Sequence, residues 1–552
     1  MSANLIAESV LLGGRVITMA DGRVDPVRAD GVAIADGTVV AIGDRADLER
    51  FIGDGTAVHE LGGAAILPGF VDSHIHPVFG LALTRGADLT GCRSLVDVEE
   101  RLRAELDTLR DGDWLLGWGL EPSAFEGREV TNRMLDDVAP GRPVFIRLFD
   151  AHAALASSRA LEIAECRGDE RFTDGSRVVT DATGTPTGYL LELQAMALVE
   201  PFVPQLTFEQ RVDGLTEVLM RMARAGFTAG QVQDLAPDTV EILRAIEQTR
   251  DLPIRLRLSP WFEPGTAVAE VDRLARLQGL HGRRWVVEGV KLMIDGTIDN
   301  GTAWLHEPDC LGESTQSLWL DPEQYREALT ELDRRGIPTT THAIGDAGIE
   351  FVVRAIAGLP HRHATHRVEH IETMTDTALE LFATAGIMAS MQPTHCTRFT
   401  RADGSDHWSK RLGEERAARG FRTGDLVRAG VPLALGSDWP IAPSDAVGIL
   451  ADARLRRPHD DPGASPVQPE QALDAVDALR GFTTHPYTTI GQRGGVLEVG
   501  AVADITVLDT DPLTADPDDL GRAQVLLTLV DGRVVADASV GEHSARTLAR
   551  RE

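Results

Sequence analysis

The chain has 552 residues, of which 54 are basic and 85 acidic, and a formal net charge of -31 at pH 7. This length is enough for a large core plus a second module, and the acidic surplus argues against nucleic acid and anionic membranes as partners, because both need basic patches. The four cysteines form no CxxC pair, the N-terminus has no basic segment before its apolar residues, and no apolar run is long enough to cross a membrane, so we expect a cytoplasmic protein.

Both ends of the chain have the sequence pattern of short β-strands. In residues 1–64 the apolar runs are separated by three turns, Gly13-Gly14, Asp21-Gly22 and Asp36-Gly37. Residues 485–552 contain similar apolar runs around Asp531-Gly532. Asp-Gly between apolar runs is a hairpin signal. We therefore predict one β-sandwich formed by both termini.

The middle of the chain, residues 65–484, alternates candidate strands with amphipathic helices. One such helix, 212–224, has Val212, Leu215, Val218, Leu219 and Met222 on one face. The candidate strands are 65–76, 226–233, 254–258, 286–295, 338–342, 367–370, 386–392 and 432–438. Eight strand–helix units in succession favour the α/β class and a (β/α)8 TIM barrel.

A long segment, about 80–210, separates the first two barrel strands and far exceeds a normal strand-to-helix connection. It has a helical stripe over 95–109, candidate strands at 114–118 and 144–148, and a turn at 184–188. An insertion that leaves the carboxyl end of a barrel strand lies over the active-site mouth, so we predict a lid or substrate-binding subdomain. The alternative is a peripheral decoration or an oligomer contact.

Candidate metal ligands stand at the ends of the predicted strands. His74 and His76 are two residues apart on the first strand, so both imidazoles point to the same side, and imidazole is a common ligand of divalent transition metals. The later strand ends carry Lys291, His342, His370 and Asp438. Taken singly, each has an ordinary explanation such as a helix cap or a core histidine. Because TIM barrels place their chemistry at these ends, the whole set predicts one metal site.

Lysine is rare in this chain. Only Lys291 and Lys410 occur, so 52 of the 54 basic residues are arginine. Lys410 lies in a polar stretch, whereas Lys291 lies inside an apolar strand, where a lysine is costly unless it is paired or modified. The unmodified alternative is a salt bridge from Lys291 to Asp295 or Asp299.

Taken together, the motifs resemble those of the amidohydrolase superfamily, and within it the YtcJ-like branch that includes N-substituted formamide deformylase. The matching stretches cover nearly the whole chain and are 67–76, 290–296, 341–347, 367–370, 435–438 and 500–505. One place departs from the family pattern. The family often has an Asn-Ser pair after a histidine of the insertion, and here Ser157-Ser158 follows His152.

The resemblance implies a binuclear metal centre. The nitrogen-rich ligands favour zinc, and the ligand type leaves iron, manganese and nickel as alternatives. It assigns His74, His76 and Asp438 to one metal, His342 and His370 to a second, and a carboxylated Lys291 as the bridge. Metal-activated hydroxide would attack a carbonyl carbon, with Asp438 as general acid/base. Three further residues are candidates for substrate contact: His395 after the seventh strand, and His152 and Glu192 in the insertion.

We therefore predict an enzyme that hydrolyses a non-peptide C–N bond of a small-molecule amide, such as an N-substituted formamide or an N-acyl amine. Two alternatives stay open: a cyclic-amide hydrolase or deaminase with the same barrel, and a non-catalytic barrel that binds a ligand. We expect no nucleic-acid or membrane partner, and a homodimer.

Overall fold

The computed structural model describes residues 5–20 and 29–538. The turn predicted at Asp21-Gly22 lies outside these residues. Strands from the terminal segments form two sheets. The first contains, in spatial order, Thr38–Gly43, Gly31–Ala35, Ser9–Leu12 and Ala57–Glu60. The second contains Arg15–Val16, Ala65–Pro68, Ile505–Leu508, Val525–Val530 and Arg533–Asp537. Both ends of the chain thus contribute to the second sheet.

Apolar side chains of these two sheets share one buried cluster. Leu11 and Ile34 of the first sheet lie in it together with Ile66, Val507 and Leu529 of the second. These residues come from strands far apart in sequence, so burial of their side chains holds the two chain ends together.

The strand predicted over 65–76 is two strands, so this prediction is wrong as a single element. Ala65–Pro68 pairs with the C-terminal strand Ile505–Leu508, whereas Phe70–Ile75 pairs with Phe227–Val232 in another sheet. The chain changes sheets at Gly69, whose N–H donates to the carbonyl oxygen of Asp504 at 2.8 Å. A side chain does not fit there, because a Cβ on Gly69 would lie 2.2 Å from Oγ1 of Thr228.

Eight parallel central strands form the middle of the molecule, and we number them in chain order. They are Phe70–Ile75, Phe227–Val232, Arg255–Leu258, Trp285–Val287 with Val290–Met293, Thr339–Ala343, His366–His370, Met388–Met391 and Leu433–Leu435. The fourth strand is interrupted at Gly289, which has φ +94°. Its first half pairs with the third strand and its second half with the fifth.

The two sheets made by these strands touch at both of their edges. One parallel bridge joins Trp261 to Lys291, and another joins Ile75 to Trp439 after the eighth strand. With helices between successive strands, this is an α/β fold of the TIM-barrel type, as predicted.

Helices follow or precede the central strands. The predicted helix at 212–224 is part of a longer one, Phe208–Arg224, which begins at a capping box made by Thr207 and Gln210. The other helices of the central part are Pro77–Leu83, Thr239–Thr249, Glu270–Leu277, Pro322–Arg334, Asp346–Ala357, Asp376–Ala385, Pro393–Phe399, His407–Leu412, Glu414–Ala417, Thr423–Arg428, Ala446–Leu455, Ala475–Phe482 and Thr484–Thr488. No helix within the described ranges is long and apolar enough to span a membrane.

The insertion folds around a sheet and a core of its own. The strands, in spatial order, are Arg177–Thr180, Pro186–Leu191, Ala153–Ala156, Val144–Leu148, Leu115–Leu120 and Ala87–Asp88. Its helices are Leu95–Leu106, Arg133–Val138, Ser158–Ile163 and Leu193–Met196. The predicted helix and both predicted strands are present. The turn predicted at 184–188 is shorter, because a strand already begins at Pro186.

Replacing Gly69 with alanine should destabilise the protein by about 1–3 kcal/mol, because the added methyl group overlaps Thr228. Gly55→Ala is the matched control, since nothing lies within 4 Å of a Cβ at that position. We expect the control to change stability by less than about 1 kcal/mol. Urea unfolding midpoints measure both variants, and equal midpoints would contradict this account of the sheet crossing.

Candidate metal centre

The first and eighth central strands bring three of the predicted ligands together. The backbone N–H of Asp438 donates to the carbonyl oxygen of His74 at 2.8 Å. Oδ1 of Asp438 lies 3.5 Å from Nε2 of His74 and 3.4 Å from Nε2 of His76. Asp438 has φ +60°, an uncommon conformation for aspartate that turns its carboxylate toward the two imidazoles. One ligand atom from each residue lies within 4.8 Å of the others, so the three could hold one ion.

Carboxylates orient both histidines from behind. Nδ1 of His74 lies 2.7 Å from Oε2 of Glu369, and Nδ1 of His76 lies 2.8 Å from Oδ2 of Asp234. Each Nε2 is left facing Asp438, which is the arrangement that metal-ligating histidines usually show. The sequence analysis missed both carboxylates. The signal that could have found them is their position, since Glu369 lies within the sixth strand and Asp234 closely follows the second.

Glu369 is itself held by a buried arginine. Nε of Arg367 lies 2.5 Å from Oε1 of Glu369, and Nη2 donates to the carbonyl oxygen of Ser73 at 2.9 Å. Both charged side chains are at most 1% exposed, so each compensates the desolvation of the other. The pair ties the sixth strand to the first strand directly beneath His74.

The two histidines predicted to hold a second ion, His342 and His370, lie next to each other. The rings of His342 and His370 are 4.5 Å apart, but Nε2 of His342 lies 3.1 Å from the carbonyl oxygen of Gly296. The second cluster able to hold an ion consists of His370, His395 and Asp438, with Nε2 of His395 3.5 Å from Oδ2 of Asp438. His395, which the sequence analysis gave only a substrate role, is thus close enough to Asp438 that the two could share an ion.

Lys291 is 2% exposed and points at the same centre. Its Nζ lies 3.4 Å from Nε2 of His74, and burial lowers its pKa to about 8. The predicted salt-bridge alternative is wrong for both carboxylates. Asp295 accepts hydrogen bonds from three backbone N–H groups, and Asp299 lies 3.1 Å from His407.

The electrostatics of the site fit a cation. Burial holds the pKa of His74, His342 and His370 well below the usual range, which keeps these imidazoles in the neutral form that binds metals. Burial acts to raise the pKa of Asp438, but the adjacent imidazoles, His74 first, hold it below its usual range. Oδ1 of Asp438 and Nε2 of His395 are buried and find no hydrogen-bond partner among the described residues. His76 differs from these three histidines: burial acts to lower its pKa, but the carboxylates of Asp234 and Asp438 raise the pKa to about 9, so an ion bound there would displace a proton. An ionised, underbonded carboxylate beside imidazoles is a donor set suited to a divalent ion.

The insertion reaches this centre through His152. Nδ1 of His152 lies 2.8 Å from Oε2 of Glu192, and the N–H of Glu192 donates to the carbonyl oxygen of His152 at 2.7 Å. The His152 ring lies 4.9 Å from the ring of His342 and borders the cavity above the centre. Glu192 is 1% exposed, adopts φ +65° and lies behind His152.

A polar network fixes the insertion to the loop after the fourth strand. Oδ2 of Asp150 accepts from Oγ1 of Thr297 at 2.7 Å and from Nδ2 of Asn300 at 2.5 Å. The hydroxyl of Tyr189 donates to the same asparagine at 2.6 Å. Ser157 belongs to the Ser-Ser pair that departs from the family pattern. It caps the helix Ser158–Ile163, and its hydroxyl accepts a hydrogen bond from the backbone N–H of Val144 in the insertion. It does not line the cavity.

The walls of the cavity above the centre are mainly apolar. Besides the candidate ligands, the lining includes Phe79, Leu83, Phe149, Trp261, Met293, Ile344, Phe399, Trp408, Phe421 and Ile441, and the polar residues Asp150, Thr297, Asp299, Glu372 and Thr400. Such walls exclude water and strengthen electrostatic interactions within the site.

The chain is similar to several known proteins along most of its length. The chain is 29% identical over 540 residues to "Putative amidohydrolase YtcJ" of Bacillus subtilis (strain 168), covering 96% of this chain and 99% of that protein. It is 22% identical over 526 residues to N-substituted formamide deformylase of Arthrobacter pascens, covering 91% and 94%. Among solved structures, an uncharacterized metal-dependent hydrolase from Pyrococcus horikoshii OT3 shares the fold. It has a TM-score of 0.69 and 24% identity, with 92% of this chain and 99% of that chain covered.

The family model of the Amidohydrolase family matches residues 57–536. That match includes all eight central strands, the insertion and the candidate metal centre. Because it spans far more than half of the sequence, the chain belongs to the Amidohydrolase family of hydrolases.

Proposed function

We propose that this protein is a metal-dependent hydrolase that cleaves a non-peptide C–N bond in a small-molecule amide. The observation that carries the proposal is the buried carboxylate of Asp438, whose Oδ1 has no hydrogen-bond partner among the described residues and lies 3.4–3.5 Å from Nε2 of His74 and His76. The similarity to an N-substituted formamide deformylase supports an amide as the substrate.

His74, His76 and Asp438 would hold one divalent ion, and His342 and His370 a second, with His395 as a further ligand within reach. We propose zinc for both positions, because the donors are mainly nitrogen. When bound, such ions lower the pKa of water and polarise a carbonyl group. The protein's own contribution is to orient the donors, through Glu369 and Asp234, and to keep bulk water away.

Lys291 would bridge the two positions as a carbamate. Its amine nitrogen forms a bond to the carbon of carbon dioxide and releases one proton, which leaves an anionic group with two oxygens. Burial favours the neutral, reactive amine by lowering its pKa. A guanidinium cannot form this group, which accounts for a buried lysine in a chain that otherwise uses arginine.

Asp438 would act as general acid/base. Its carboxylate is ionised and faces the cavity, so it can accept a proton from the attacking water and return it to the leaving nitrogen. His395 and His152 border the cavity and would contact the substrate carbonyl, with Glu192 fixing the ring of His152. Mutagenesis of these residues tests the proposed substrate contacts and metal ligands.

The eight central strands would close as a (β/α)8 barrel, and the two terminal sheets would form the β-sandwich. The chain would pass from the β-sandwich into the barrel after Pro68 and back into the β-sandwich near residue 485. We further propose that the protein is a cytoplasmic homodimer that acts on a small-molecule amide. Neither nucleic acid nor a membrane fits the acidic surplus of the chain.

Lys291→Arg should abolish amide hydrolysis and reduce the bound metal, while the far-UV circular dichroism stays that of the parent. The reason is that arginine keeps the charge and length but cannot form a carbamate. Lys410→Arg, at the only other lysine, is the control and should keep full activity and metal content. Elemental analysis of protein purified with bicarbonate gives the metal ratio. Full activity in Lys291→Arg would refute the bridge.

Asp234→Asn should weaken metal binding by about 10- to 100-fold, because the carboxylate that orients Nδ1 of His76 is lost. Asp445→Asn serves as the control, since Asp445 lies 3.7 Å from His459, which does not line the cavity. Chelator competition measures the affinities. Equal affinities in the two variants would show that Asp234 does not support a ligand.

The metal-loaded protein should hydrolyse linear N-substituted formamides or N-acyl amines and release the free amine. Parallel assays with cyclic amides and with amino-purines or amino-pyrimidines test the related ring-opening and deamination reactions. Amine release from linear amides alone supports the proposal. Turnover restricted to ring opening or ammonia release would replace it with the corresponding activity, and metal binding without any turnover would favour a ligand-binding role.

A further inference from the structure

Two cavities lie side by side at the carboxyl ends of the central strands. The inner cavity contains the candidate ligands and has a volume of about 80 Å³. The outer cleft has a volume of about 660 Å³ and lies between the insertion and the segments that follow the seventh and eighth strands. Phe399, Thr400 and Ile441 line both spaces, so the two are neighbours across a wall that is one residue thick.

The aromatic ring of Phe399 forms this shared wall. Phe399 is the last residue of the helix Pro393–Phe399, which also carries His395. Its ring lies 4.7 Å from the ring of Phe149 in the insertion and 5.7 Å from the ring of His395. Phe399 thus lies between the inner cavity and the outer cleft, and Phe149 contacts it from the side of the inner cavity; we call this pair the neck.

The inner cavity is too small to hold a whole substrate of ordinary size. Sites for small molecules usually measure about 300–1,000 Å³. A volume of about 80 Å³ accommodates the reacting amide and a few attached atoms. Any larger substituent on the same molecule needs the adjacent space, and the outer cleft is the neighbouring cavity with sufficient volume.

The lining of the outer cleft combines apolar and charged residues. Beside Phe399 and Ile441, the apolar residues Pro443 and Val467 line it. Charged side chains of both signs also line it, among them Arg398, Arg401, Arg457 and Asp460. Arg398 and Arg457 are paired, to Asp460 at 3.2 Å and to Asp518 at 2.6 Å. Arg401 instead donates to two backbone carbonyl oxygens at 2.8 Å.

We propose that the outer cleft is a second substrate subsite, which takes the larger substituent of the amide. The substrate is then an elongated molecule, with a small group on one side of the reacting amide and, on the other, an apolar segment that passes the neck and ends in a polar group. This inference rests on the proposed hydrolase function, because it places the reacting amide at the metal centre.

The test uses straight-chain alkyl hydroxamic acids of increasing length, each ending in a hydroxyl group. The hydroxamate chelates a divalent ion, so binding does not require that any amide be turned over. Calorimetric titration of the metal-loaded protein gives each Kd. We expect the Kd to tighten with chain length, by up to about fourfold for each methylene that enters the cleft.

Ala464→Trp is the informative variant, because Ala464 lines the outer cleft but not the inner cavity. The added indole fills the cleft, so binding of the long chains should weaken at least tenfold while the shortest member keeps its Kd within about twofold, the metal content being unchanged. Ala104→Trp, on the exposed side of a helix of the insertion, lines neither space and should leave every Kd as it was.

Each outcome of this experiment tests the substrate subsite independently of the hydrolase function. A length-dependent Kd that Ala464→Trp removes supports the subsite, even if no linear amide is hydrolysed. A Kd independent of length, an equal loss for short and long chains, or failure of the whole series to bind would overturn the subsite. If amides are then hydrolysed regardless of length, the hydrolase function stands and the outer cleft has no part in it.

Discussion

The buried carboxylate of Asp72 is the contact on which the site depends. It accepts from the N–H and hydroxyl of Ser437, at 2.9 and 2.6 Å, and from the N–H of His74 at 3.2 Å. It therefore ties the first central strand to the segment after the eighth, across 365 residues of sequence. His74 is one of the donors and Asp438 follows Ser437, so this connection, together with the hydrogen bond from the N–H of Asp438 to the carbonyl oxygen of His74, fixes the relative height at which their side chains meet.

Other buried side chains hold the candidate ligands in position in the same way. Glu369 and Asp234 fix two imidazoles, and Arg367 in turn fixes Glu369. A layered arrangement of this kind holds the donors before an ion arrives, so less ordering remains to oppose binding. The backbone strain lies in the same place, since Asp438 and His370 both have positive φ, at +60° and +70°. Strained residues of this kind concentrate at functional sites, where the surrounding contacts impose them.

The insertion shapes the space above the centre. Its Asp150 lines the cavity and is bonded to the loop after the fourth strand, so this part of the insertion forms one wall of the cavity. In this wall, the ring of Phe149 contacts Phe399 to form the neck, and the ring of His152 lies next to His342. The candidate ligands and the walls of the cavity thus come largely from different parts of the chain. The central strands supply the candidate ligands, and the insertion, with the segments after the last two strands, bounds the space for the substrate.

Local patterns in the sequence determined the class of fold and the candidate ligands. Alternating strand and helix periodicity predicted the TIM-barrel type, and the spacing of His74 and His76 placed both imidazoles on one side of a strand. Tertiary structure alone decided the crossing at Gly69, the carboxylates behind the histidines, the approach of His395 to Asp438 and the outer cleft. His74 and Glu369 are 295 residues apart, and the relative height of two strands depends on contacts across all the central strands. Periodicity reports which face of an element is buried, but it carries no information on which distant side chain that face meets.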